Sequence, residues 1–103
     1  MRFLLTVYAD GAPDAAEFLA AVRDSGELID GHQLADPSTG VLVRAAGLVA
    51  EGSYLDSPVD LAAYYLLDCE DRDRAARLAA LLPAAGCDAV EVRPVMAAAG
   101  LEM

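Results

Sequence analysis

The chain switches between two spacings of apolar residues. Phe3-Leu4-Leu5-Thr6-Val7-Tyr8 is a short run with aromatic and β-branched content, stopped by Asp10-Gly11, and it predicts a buried strand. A helix is expected next. Pro13 sets its entry, Asp14 with Glu17 has capping-box spacing, and Ala15, Phe18, Leu19 and Val22 share one face before Gly26. Glu27 to Leu34 reads as a second strand interrupted by Gly31, and Asp36 to Gly40 as a loop. Val41 to Arg44 and Leu48 to Ala50 read as hairpin arms joined across Ala45-Ala46-Gly47. A polar, turn-rich loop spans Glu51 to Val59. Ala63-Tyr64-Tyr65-Leu66-Leu67 follows as a central strand with no polar alternation. A second helix is expected over Asp71 to Leu82, with Ala75, Leu78 and Leu82 dry, and Glu70–Arg74 and Asp73–Arg77 as pairs on its wet face. Pro83 and Gly86 mark its exit. Val90 to Arg93 alternates as a half-buried strand, ended by Pro94.

Reduced to its core this is β-α-β-β-α-β with an extra hairpin, an α+β chain of the ferredoxin-like pattern. One domain over residues 1–96 with a tail at 97–103 is expected. Both helices then cover one face of an antiparallel sheet. The other face should be polar in a monomer, yet the first strand and the Tyr64 strand are apolar on both sides. A second copy covering that open face resolves the conflict, so a homodimer is expected.

Composition sharpens this in three ways. Hydrophobic residues make up 56%, which favours an additional buried surface even though much of the figure is alanine. The net charge is -10 and every basic residue is arginine; such a surface repels phosphate backbones and anionic membranes, so neither nucleic acid nor membrane is an expected partner. Cys69 and Cys87 have no metal-ligand spacing and read as buried thiols. No metal or cofactor is expected: the chain has no GxGxxG, no P-loop and no nucleophile elbow. The apolar opening is too short for a signal core, which makes the cytoplasm the expected compartment.

Candidate chemistry is sparse. His32 is the only histidine; with Asp30 or Asp36 it can act as an oriented general base, or it can simply bond the backbone at a strand end. Glu51, Tyr54 and Asp56 share one loop, where two carboxylates beside a phenol can hold a polar substrate or stand as solvated surface. Arg93 can clamp an anion or pair with Glu91 or Asp68. Tyr64 and Tyr65 point to opposite sheet faces, one into the core and the other to an interface or cleft wall.

The segments Glu51-Gly52-Ser53-Tyr54-Leu55-Asp56, Tyr64-Tyr65-Leu66-Leu67-Asp68 and Ala89-Val90-Glu91-Val92-Arg93-Pro94-Val95 resemble the YCII-related proteins, in particular the group named after a DGPF motif. Arg2 to Tyr8 and Gly31-His32-Gln33-Leu34 fit the same group. The motif is altered: Glu51 stands for the aspartate, Ser53 for the proline, Tyr54 for the phenylalanine and Asp56 for a glutamate, while Pro58-Val59 replace a Lys-Glu pair. The resemblance implies a dimeric α+β barrel with one small-molecule cleft per subunit. Acid–base chemistry would fall to His32 and Asp56, with Glu51, Tyr54, Tyr64 and Arg93 binding substrate. It also implies a rival, a non-catalytic regulatory or binding module associated with a sigma factor. A cofactor-free monooxygenase is a weaker third reading, since one histidine and 6% aromatics poorly meet its pocket.

Overall fold

The computed structural model of the protein describes residues 1–45, 47, 49–52, 59–83 and 86–96. The chain runs β1 (Arg2–Ala9), α1 (Ala16–Asp24), β2 (Leu28–Gln33), β3 (Val41–Val43), β4 (Val49–Glu51), β5 (Asp60–Asp68), α2 (Arg72–Ala79) and β6 (Ala89–Pro94), with a short 3-10 turn at Pro37–Thr39. It is an α+β structure. Four strands form one antiparallel sheet in the order β2-β5-β1-β6, and β3 and β4 form a separate two-stranded ribbon.

Alternation along the strands decides which side is wet. Phe3, Leu5, Val7 and Ala9 of β1 and Ala63, Tyr65 and Leu67 of β5 all point to one face and are buried. Phe18 and Val22 of α1 and Ala75, Leu78 and Ala79 of α2 join them in a single core cluster, so both helices cover the same face. Phe18 tilts against Tyr65 with ring centroids 4.9 Å apart. The glycine in β2 has a packing reason: a Cβ on Gly31 would stand 2.8 Å from the carbonyl oxygen of Tyr64 and strike the Tyr65 ring.

The helix ends differ from expectation in instructive ways. Asp14 and Glu17 do not form a capping box: α1 begins one residue later, its N-cap Ala15 makes no side-chain cap bond, and the Asp14 carboxylate accepts from Ala16 N at 3.0 Å. At the other end Gly26 (φ 77°) makes the expected left-handed turn, with Glu27 N donating to Val22 O and Gly26 N to Arg23 O. α2 is capped by Asp71, which accepts from Arg74 N at 2.8 Å. It stops at Ala79 rather than Leu82. Leu81 N and Leu82 N bond three residues back, because the chain tightens ahead of Pro83. Arg74 does not turn to Glu70 either. Its guanidinium forks onto Glu27 at 2.8–3.2 Å and fastens α2 to the chain entering β2. That pairing holds the Glu27 carboxyl down at about 2.

The face away from the helices carries Arg2, Leu4, Thr6 and Tyr8 of β1, Tyr64, Leu66 and Asp68 of β5, Asp30 and His32 of β2, and Glu91 and Arg93 of β6. Leu4, Tyr8, Tyr64 and Leu66 are only half-buried there, although they fill the middle of the sheet. This is the apolar second face read from the sequence. Among the described residues no helix is long and apolar enough to cross a membrane.

Candidate functional site

Two places bring chemistry together. The first is the β2 edge of the open face. A register shift between Leu28 and Asp30 leaves Leu28 packed on the core and sends Asp30 and His32 both to the open side. His32 sits opposite Tyr64 in the β2–β5 ladder. Asp30 becomes the hub: its Oδ1 lies 3.4 Å from His32 Nε2, and its Oδ2 accepts from the Tyr64 hydroxyl at 3.3 Å. The His32 and Tyr64 rings are 6.0 Å apart. Partial desolvation, and then the Asp30 charge and hydrogen bond, push the Tyr64 phenol upward. An imidazole and a phenol that both reach one carboxylate are groups able to exchange a proton. In the single chain this set is open to water, with the His32 side chain 69% exposed.

The second place is a cleft of about 440 Å³ at the end of the sheet, where the chain leaves β1, leaves β2 and enters β5. Leu34, Pro37 and Leu61 give it apolar walls, and Asp10, Asp36 and Asp60 supply carboxylates. Local turns build it. Gly11 takes φ 90° after β1. Asp36 accepts from Ser38 N at 2.9 Å, and its carbonyl accepts from the Thr39 hydroxyl at 2.7 Å, which shapes the Pro37–Thr39 turn. The Ser38 amide and hydroxyl hold the Asp36 carboxyl below its ordinary range. β5 bulges at this end, where Tyr8 opposes Leu61 and Val7 opposes Ala63. A shallower hollow of about 300 Å³ continues from the cleft toward Thr39, Gly40 and Gly52.

The structure joins His32 and Tyr64 but separates them from the other candidates. Arg93 bonds Glu91 at 2.9 Å on β6, the opposite edge of the sheet. Three strand spacings, about 14 Å, separate β6 from β2. Glu51 ends β4 on the hairpin, exposed. Tyr54 and Asp56 lie outside the described residues. None of His32, Tyr64, Glu51 or Arg93 lines the cleft, whose walls come from positions read in the sequence mainly as turns and strand ends. Asp10-Gly11 and Asp36-Pro37 carried a turn signal only; their meeting is a tertiary fact. Burial raises both cysteine thiols, Cys69 up to about 11 with the Glu27 carboxylate adding to the effect, so neither has the character of a nucleophile. Among the described residues, no three of His, Cys, Asp and Glu are grouped to hold a metal ion. No protein-family model matches the chain, and no curated protein sequence matches it.

Proposed function

We propose that the chain is a YCII-related, DGPF-type protein that binds a small molecule as a homodimer, two ferredoxin-like sheets meeting at their open faces. The observation that carries the reading is the open face itself. Leu4, Tyr8, Tyr64 and Leu66 fill its centre. Its charged residues, two arginines against Asp30, Asp68 and Glu91, nearly cancel at a net charge of about -1, whereas the chain as a whole carries -10. Like-charged copies repel least where the surface is least charged, and apolar area buried there drives association. The strand order with both helices on one face supports the ferredoxin-like reading. Free, buried Cys69 and Cys87 suit a reducing cytoplasm.

In this reading a second copy shields the His32–Asp30–Tyr64 set from water. A shielded imidazole beside a carboxylate serves as an acid–base pair toward a polar substrate. The exposure of the set in one chain favours the second reading, a binding or regulatory module without catalysis.

Light scattering on the purified protein is the test. The expected result is twice the 10.7 kDa chain mass, reverting to one chain mass in Leu66→Arg. A single-chain mass for the unaltered protein overturns the proposal. Ligand capture is read separately by titrating a small-molecule fragment panel against backbone amide resonances. Shifts confined to Asp10, Leu34, Asp36, Asp60 and Leu61 place binding in the cleft, shifts confined to Asp30, His32 and Tyr64 place it at the imidazole–carboxylate–phenol set, and shifts scattered over the surface argue against binding.

A further inference from the structure

We propose that the β3–β4 hairpin is an arm that clasps the second copy; this rests on the homodimer reading above. The ladder pairs Val41 with Glu51, Leu42 with Ala50 and Val43 with Val49. Val41, Val43 and Val49 therefore share one face of the ribbon, with Glu51 at its end. They are 67%, 67% and 64% exposed, among the most exposed large apolar side chains described. A three-residue, two-stranded ribbon is marginal in water by itself and needs cover on one face.

Three observations identify the cover as another copy of this chain. The first is area. A four-stranded face with about seven residues per strand has a flat footprint of roughly 19 by 23 Å, or about 440 Å². A stable interface buries about 800 Å² on each partner. The open face alone supplies roughly half of that, and an arm reaching across, with the surface that receives it, supplies much of the rest. The second is charge. Residues 40–52 hold one arginine, Arg44, and one carboxylate, Glu51, so the arm adds no net charge in a chain of -10. The arm and the open face are thus surfaces on which two such copies approach with little repulsion. The third is position. The hairpin lies between β2 and β5 in the chain, next to the end of the sheet that holds the cleft, and Gly40 and Gly52 at its base line the adjoining hollow. An arm held by the partner consequently braces one wall of the hollow that adjoins the cleft.

Two measurements on the full chain test the arm. In V41T/V43T/V49T, where threonine keeps strand propensity but removes apolar contact, sedimentation is expected to show a dimer dissociation constant raised at least about 100-fold, with unchanged circular dichroism. In the unaltered protein, hydrogen exchange at Val41–Val43 and Val49–Glu51 is expected to be at least about 10-fold slower in the dimer than in the Leu66→Arg monomer, while β1 and β5 stay protected in both. A dimer whose affinity ignores the three valines, or whose hairpin amides exchange equally in both states, overturns the arm and leaves the homodimer standing. A single-chain mass for the unaltered protein removes both.

Discussion

Glu27→Gln tests the tie between α2 and the start of β2. The substitution keeps the shape of the side chain and one acceptor for Arg74, and removes the charge together with the second acceptor oxygen. The Glu27 carboxyl falls from an ordinary 4.5 to about 2, chiefly through its hydrogen bonds to Arg74. At about 1.36 kcal/mol per tenfold change in proton affinity, that fall sets a ceiling of roughly 3 kcal/mol. Glu27 is 15% exposed but Arg74 is 37% exposed, so solvent screening reduces the expected loss to about 1–2 kcal/mol at neutral pH. The sign follows from the depressed value. The folded chain holds this proton more weakly than the unfolded chain, so the stabilisation is full above about 4.5 and is lost as pH falls toward 2. Urea unfolding of both proteins, at one protein concentration and from neutral pH down to pH about 2, measures the difference. The two proteins should converge at the acid end. A gap that stays constant with pH would refute the ion-pair account, because loss of shape or packing does not titrate.

Other outcomes follow from single contacts. Gly31→Ala should destabilise by about 1–3 kcal/mol in urea unfolding, since its Cβ meets Tyr64 backbone that cannot swing aside; an unchanged midpoint would show that β2 is free to move. Asp71→Ala should cost about 1 kcal/mol by removing the acceptor for Arg74 N, with Asp71→Asn restoring most of it. Cys69 should react with iodoacetamide at pH about 8 at least 10-fold more slowly in the native protein than in urea, given a thiol raised to about 11 and buried. Equal rates would place the thiol at the surface.

The sequence carried the elements further than the site. Each long element was legible because its period was unmixed: Phe3, Leu5 and Val7 alternate inward on β1, and Ala75, Leu78 and Ala79 face the core from α2. The helix ends were less so. Asp14 and Glu17 have the spacing of a capping box, but Asp14 makes a local bond to Ala16 instead, and nothing local distinguishes the two choices. Arg74 was equally undecidable, because Glu70 is near in sequence and Glu27 is near only in space. The His32–Tyr64 meeting depends on strand register, and a slip of one residue would have turned Asp30 and His32 together toward the core face. The cleft was invisible for the same reason: Asp10, Asp36 and Asp60 come from three chain segments that only the sheet order brings together.

That sheet order also governs how the chain becomes ordered in time. β1 is a central strand, yet both of its neighbours arrive late: Leu5 pairs with Tyr65 on one side and with Val92 on the other. The described strand pairing that closes locally is the β3–β4 hairpin. During synthesis, the first strand emerges with its whole apolar face and both ladders unsatisfied, and stays so until nearly the entire chain has followed it. Folding therefore closes large loops before it gains contacts, a slow topology in which a strongly apolar segment waits longest. The nascent chain at that stage is the form most exposed to aggregation and most in need of a chaperone.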